Sequence, residues 1–378
     1  MAKNANGEGT IAKRIRDGRL TGYRGAFVTP DGERAWVYGK TRAETRDKLA
    51  AARARVEAGA PVRDSGRTLA SWLFDWRTTT LAASGRKDAT KELYASLAKS
   101  HIETAPIGAI PLDKLRPSDV ERLILDLGAK GLSPSTIRSV FTVLRAAMDT
   151  AVRDGLVARN VVAAVPRPGL PRREARHLSG DETTRLLEAA RSSRYHPAVV
   201  LCAATGLRRG EVLALRWSDL DLKTAQLVVR RTLARVGGQL VFSEPKTARS
   251  RRVIPLSGAL VSMLTTHRTT QKQDRMKAAN VWSDHGLVFP TEVGTPCDPR
   301  SFLRVIETAA KSAGIADVGV HSLRHSAAVA WLETGTHIRQ VADLLGHSSV
   351  AITGDVYGHG SQDGARRAVE SLTGSLGI

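Results

Sequence analysis

Val318-Gly319-Val320-His321-Ser322-Leu323-Arg324-His325 is the stretch from which the rest of the chain can be read. His321 and Arg324 are three residues apart, so a helix would aim an imidazole and a guanidinium at one point. Alone, a His-x-x-Arg pair is more often structural than catalytic. Its neighbours along the chain change that weighting. Thr205-Gly206-Leu207-Arg208 and Pro245-Lys246-Thr247 precede it, and Leu345-Gly346-His347-Ser348 and Tyr357-Gly358-His359 follow. Together Arg208, Lys246, His321, Arg324, His347 and Tyr357 supply two guanidiniums, an ammonium, two imidazoles and a phenol.

That set suits attack on a phosphodiester without a metal ion. Negative charge grows on the non-bridging phosphate oxygens as a nucleophile adds, and planar guanidiniums match those oxygens two at a time. Arg208 and Arg324 are the candidates; on local chemistry alone Arg209 and Arg216 rival Arg208. Tyr357 is the candidate nucleophile. A phenol of pKa near ~10 attacks poorly while protonated, so it needs nearby cations and an acceptor imidazole such as His321. His347 follows an apolar helix end, where a turn can project an imidazole or where a histidine merely caps the helix. Lys246 sits between two predicted strands, and a lone lysine there is ordinarily a surface charge.

In this order, and within one predicted domain, the five phrases resemble the tyrosine recombinase (phage integrase) family. The resemblance selects Arg208 through Thr-Gly-x-Arg and implies that Glu211, on the same helix face, steadies the site. It makes Lys246 the donor of a proton to the departing 5′ oxygen and gives His325 a packing role. Arg249, Arg251 and Arg252 would hold the DNA backbone. The implied function is that of a site-specific recombinase. It would cut and rejoin duplex DNA through a 3′-phosphotyrosine link, integrating or excising a mobile element, with no metal and no other cofactor. The implied partners are double-stranded DNA at core and arm sites, three further copies in a tetramer, and a directionality factor or host DNA-bending protein. The expected setting is the cytoplasm of a bacterial host, at the nucleoid. Gly354, three residues before Tyr357, suggests a loosely docked tyrosine segment. Ala368, Val369 and Leu372 suggest a tail helix that docks on a neighbouring protomer or frays. A type IB topoisomerase would use the same chemistry to relax supercoils, and a DNA-binding protein could use the fold without catalysis. The first would relax plasmids unaided and the second would form no covalent adduct.

Composition is consistent with this. The chain has 378 residues, 42% of them hydrophobic, enough for two or three cores. Its formal charge of +20, from 57 Lys and Arg against 37 Asp and Glu, calls for a polyanionic partner. A membrane surface would also attract such charge, but no apolar run is long enough to span a bilayer and the start of the chain lacks a signal-peptide stretch. Aromatic residues at 4% disfavour reading single strands by stacking. Cys202 and Cys297, the only two cysteines, read as reduced core thiols and not as a metal or disulfide framework.

The expected fold is mainly α with small β-sheets. Residues 1–62 read as an arm-type DNA-binding domain, 63–170 as a helical core-binding domain with its linker, and 171–378 as the catalytic domain. In the first, strands are predicted over Thr10–Arg16, Tyr23–Val28 and Arg34–Tyr38, with Asp31-Gly32 as a hairpin signal and a helix from Thr41 to Ala58. Lys13, Arg14, Arg16, Arg24 and Arg34 make this sheet a candidate DNA reader, or else a solvated basic face. In the second, Ser133-Pro134 opens a helix whose apolar positions run from Ile137 to Val152 and which stops at Gly155. Helices are also predicted around Leu69–Leu73 and over Pro117–Leu127, giving a four- or five-helix bundle. Pro166 to Pro171 breaks the helical pattern as a linker. Ser179-Gly180-Asp181-Glu182 then reads as a capping box. Strands are predicted over Leu227–Leu233, Leu240–Phe242 and Arg252–Ile254.

Overall fold

The computed structural model describes residues 10–16, 18–30, 32–57, 66–171, 176–244, 251–346, 370 and 373. Lys246, Arg249, His347, Gly354, Tyr357 and the tail positions Ala368, Val369 and Leu372 lie outside them, as do Asp31 and Gly59. The chain forms two compact units, Met1–Arg172 and Arg173–Ile378.

The first unit opens with β1 (Thr10–Arg16), β2 (Arg19–Val28) and β3 (Arg34–Gly39), an antiparallel sheet in that order, followed by α1 (Arg42–Glu57). The register pairs Ile11 with Gly25 and Gly25 with Val37, while Phe27 faces Ala35. Side chains alternate across a strand, so these odd-numbered positions share one face, and Ile11, Phe27, Ala35 and Val37 pack there with Leu49, Ala52 and Val56 of α1. Lys13 belongs to that same face. The opposite face carries Arg14, Arg16, Arg24 and Arg34, joined by Arg19, which pairs with Arg16 beyond a bulge in the register. Arg24 and Arg34 lie 5.1 and 4.9 Å from the ring centre of Trp36, and Arg14 lies 5.5 Å from that of Tyr38. The open face is therefore a basic array in which three guanidiniums lie over two aromatic rings.

Helices α2 (Leu69–Thr78), α3 (Thr80–Ala83), α4 (Asp88–Ala98), α5 (Pro117–Ala129) and α6 (Pro134–Arg153) follow. Ser133 accepts a hydrogen bond from the Thr136 N–H at 3.2 Å, and Pro134 occupies the first helical turn, where its missing N–H costs nothing. The apolar stripe of α6 is buried along its length, from Ile137 through Met148 to Ala151. Trp72 and Trp76 of α2 pack against it, and their indole N–H groups donate to Ala147 O at 3.0 Å and Thr150 Oγ1 at 3.1 Å. Both rings thus bury their area without orphaning a donor.

The second unit begins at α7 (Gly180–Ala189), capped reciprocally by Ser179 and Glu182 at 3.1 Å each way. Then come α8 (His196–Thr205), α9 (Arg209–Leu213), β4 (Leu220–Asp221), β5 (Gln226–Val229), β6 (Thr232–Val236), β7 (Gln239–Ser243) and β8 (Arg252–Pro255). Helices α10 (Gly258–Ala278), α11 (Pro299–Ser312), α12 (Val320–Glu333) and α13 (Ile338–Leu345) follow. The strand expected over Leu227–Leu233 is two strands in different sheets: β5 lies between β4 and β8, and β6 pairs with β7. The break falls at Arg230 and Arg231, whose guanidiniums turn to the buried Asp219 carboxylate, 3.7 and 2.9 Å away. Both cysteines are buried free thiols, as the composition suggested. Among the described residues, no helix is long and apolar enough to cross a membrane.

Candidate active site

The site is built where the ends of α8 and α13 meet the starts of α9 and α12. Helix α8 is apolar nearly throughout and ends at Gly206, whose φ is +61°. The left-handed backbone calls for glycine, and a Cβ there would stand 2.7 Å from Leu345 Cδ2 of α13 and push that side chain aside. The turn sets Arg208 as the residue preceding α9. Glu211, three residues on, folds back and accepts from the Arg208 backbone N–H at 2.9 Å and from Arg208 Nη1 at 2.8 Å. This is capping-box geometry in which the capping carboxylate also holds a guanidinium.

Two more arginines join. Arg252 places Nη1 and Nη2 on the two Glu211 oxygens, at 3.2 and 2.9 Å. Arg324 donates Nη1 to Gly206 O at 2.7 Å and Nη2 to Leu345 O at 2.6 Å. Arg252 Nε donates to Leu344 O at 2.6 Å, and Arg208 Nη2 reaches Gly346 O at 3.3 Å. Three consecutive carbonyls at the end of α13 thus each accept from a different arginine. Those carbonyls are the groups a helix leaves without internal partners, at the negative end of its dipole, where cations are stabilised. Gly346 ends α13 in the left-handed region, with φ +66°.

Burial sharpens the electrostatics. Glu211, Arg324 and Arg252 are only 4%, 5% and 8% exposed, whereas the Arg208 side chain keeps 35% of its surface open. Desolvation alone would raise the Glu211 pKa; hydrogen bonding and charge from Arg252, then Arg208, overcome it and hold the carboxyl at about 2. The carboxylate is therefore charged at any pH at which the protein would work. His321, in the first turn of α12, is held below the ordinary imidazole value by partial desolvation and then by Arg324, Arg209 and Arg208. It is neutral near pH 7 and can accept a proton. His325 is lowered in the same way, by burial first and then by His321, Arg324 and His177.

The structure thus brings together Arg208, Glu211, His321 and Arg324. Of the two rivals to Arg208, Arg209 also bears on His321. Arg216 does not join the cluster. It lies 5.6 Å from the Phe242 ring centre and lines a separate cavity of about 540 Å³ with Arg230, Arg231 and Arg251. Arg251 is exposed there and pairs with Glu244 at 2.5 Å. Arg252, expected from the sequence to hold the DNA backbone, is buried and folded inward onto Glu211 and Leu344. The signal was present in the strand. Arg252 shares parity with the buried Ile254, while Val253 and Pro255 point outward.

Residues 176–363 match the phage integrase family. An integrase of Streptomyces ambofaciens is 32% identical over 333 residues, covering 84% of this chain and 83% of its own. The chain belongs to the phage integrase family. As a tyrosine recombinase it is an enzyme that breaks and rejoins DNA site-specifically through a phosphotyrosine intermediate. Two solved integrases share its fold. The Tn1549 transposon integrase, in complex with transposon right end DNA, superposes with a TM-score of 0.67 at 23% identity, covering 81% of this chain and 99% of that one. The lambda integrase tetramer bound to a Holliday junction gives 0.59 at 20%, covering 95% and 98%. The family match spans the positions of Lys246, His347 and Tyr357 as well as the cluster described above.

Proposed function

We propose that this recombinase integrates and excises a mobile element with Tyr357 as its nucleophile. The phenolic oxygen attacks the scissile phosphorus while its proton passes to His321. The bond from phosphorus to the 5′ oxygen breaks, and that oxygen takes a proton from Lys246. A 3′-phosphotyrosine ester and a free 5′ hydroxyl result. The hydroxyl of the partner duplex then attacks the ester, reverses both proton transfers and restores the phenol. One phosphoester is exchanged for another at each step, so no nucleotide hydrolysis is needed. Arg208, Arg324 and His347 face the non-bridging oxygens, whose charge rises from one to two in the transition state.

The observation that carries this reading is the cluster itself: among the described residues, three guanidiniums and one carboxylate gather beside a neutral imidazole, at the helix end that leads into His347. Such a site holds more positive charge than its own carboxylate can balance, as a gathering phosphorane requires. The test is a duplex nicked just 3′ to the cleavage site, from which the cleaved fragment escapes. The protein should become linked to DNA, and peptide mapping should place the link on Tyr357. Linkage elsewhere, or none, would remove the assignment.

The pH dependence follows from His321. Only its neutral form accepts the phenolic proton, and its pKa is depressed, so cleavage should hold from neutral pH down past the ordinary imidazole value and fall only below it. Rates at subsaturating protein, which report groups of the free protein, should show this acid limb, and His321→Gln should flatten it. An acid limb unchanged in His321→Gln would assign the proton acceptor to another group.

Four protomers on two duplexes suit the chemistry, and the tetrameric lambda relative supports that arrangement. The bacterial cytoplasm, at the nucleoid, is the compartment such a substrate implies, and a directionality factor or a host DNA-bending protein would choose between integration and excision. The open face of the N-terminal sheet is assigned to arm-site phosphates. Replacing Arg14, Arg24 and Arg34 with Gln should lower the slope of log binding constant against log salt by about 0.9 for each phosphate that is no longer neutralised. Core-site cleavage should survive. Lys13→Gln, on the face that packs against α1, should change the slope least. Equal effects from Lys13 and the three arginines would refute the choice of face.

A further inference from the structure

Arg252 has no task in the reaction scheme, yet its bonds are the most consequential in the site. It pairs with both oxygens of Glu211 and caps Leu344, and it begins β8, the strand entered directly from the segment that carries Lys246. Each Glu211 oxygen receives one N–H from Arg208 and one from Arg252. A carboxylate has roughly four lone-pair sites, and these four bonds fill them. Two consequences follow. Glu211 cannot rotate, so Arg208 is held in one pose. And one negative charge is divided between two guanidiniums, so Arg208 is not neutralised by its own orienting group. Without Arg252 the pair Arg208–Glu211 would be an ordinary salt bridge of net charge zero, a poorer partner for phosphate.

We propose that Arg252 is a positioning residue for strand cleavage: it fixes Glu211, keeps positive charge available on Arg208, and anchors the end of α13 ahead of His347. This rests on the recombinase reading above, and the inference concerns how the charge of Arg208 is maintained. Lysine cannot replace it, because a single ammonium cannot span both carboxylate oxygens and Leu344 O together.

The test compares two nicked duplexes, one with the natural scissile phosphodiester and one with a methylphosphonate, in which a methyl group replaces one non-bridging oxygen. The neutral linkage gathers less charge and depends less on Arg208. Arg252→Lys and Arg252→Met should each slow phosphodiester cleavage by about 10- to 100-fold, the scale of a small misplacement of a charge-stabilising group. Their penalty on the methylphosphonate should shrink several-fold, in parallel with that of Arg208→Lys. The ratio of the two rates is independent of how much of a variant is folded. An equal penalty on both substrates would make Arg252 merely structural, and wild-type rates on both would leave it no role; either result overturns the proposal. Failure of the wild-type protein to link to either duplex would instead overturn the recombinase reading on which it rests.

Discussion

Tyr357→Phe should bind its DNA site as the wild type does and form no covalent adduct with it. The substitution removes one oxygen and leaves the ring, so any packing by the aromatic face is kept. What disappears is the oxygen proposed to accept the phosphoryl group. Loss of a nucleophile lowers turnover by on the order of 10⁴-fold or more in enzymes whose groups act as a unit, which on a nicked duplex means no detectable adduct. The measurement is a denaturing gel of protein mixed with the nicked duplex, beside a binding titration of the same samples. An adduct in the wild type alone identifies the nucleophile. An adduct in both moves it to another residue, and an adduct in neither favours a protein that only binds DNA. Adding EDTA should change nothing in the wild type, since the phosphoryl charge is met by side chains; inhibition would point to metal-assisted attack.

Much of the fold was legible because short-range physics writes directly into sequence. Ser179 and Glu182 are three residues apart and cap each other; Ser133 and Pro134 open α6; the apolar stripe from Ile137 onward is buried as its period requires. The pairing of His321 with Arg324 also follows from helical spacing. Two things were not legible. The predicted strand through Leu227–Leu233 is divided because Asp219, eleven residues before Arg230, draws Arg230 and Arg231 out of the ladder. The arginines at Leu344, Leu345 and Gly346 come from three separate elements, and only the tertiary fold shows that one helix end satisfies them all. Basic residues around Lys246 look alike in sequence, but Arg252, the first residue of β8, is turned inward while Arg251, just before the strand, is exposed. Strand parity divides Lys13 from Arg14 in the N-terminal sheet.

Arg324→Ala should damage stability and catalysis together, which distinguishes it from Tyr357→Phe. Arg324 is 5% exposed and its guanidinium bridges Gly206 O and Leu345 O, so truncation takes a donor from each of two carbonyls and leaves a cavity where the side chain lay. Each lost donor costs about 1–3 kcal/mol, and a total near 3–5 kcal/mol would lower the melting temperature of a unit this size by roughly 10 °C. Arg324→Lys keeps the charge and most of the volume but can satisfy only one carbonyl well. It should recover part of the melting temperature while cleavage stays depressed by about 10²–10³-fold, because a point charge cannot match two phosphate oxygens as a planar fork does. Thermal unfolding and single-turnover cleavage of the same preparations separate the two effects. If Arg324→Lys regained stability and rate in step, Arg324 would act only through packing; if Arg324→Ala melted like the wild type, the bridge between the ends of α8 and α13 would carry no weight. The combination expected here, partial recovery of stability without recovery of rate, requires that one side chain both joins two helix ends and faces the reacting phosphate.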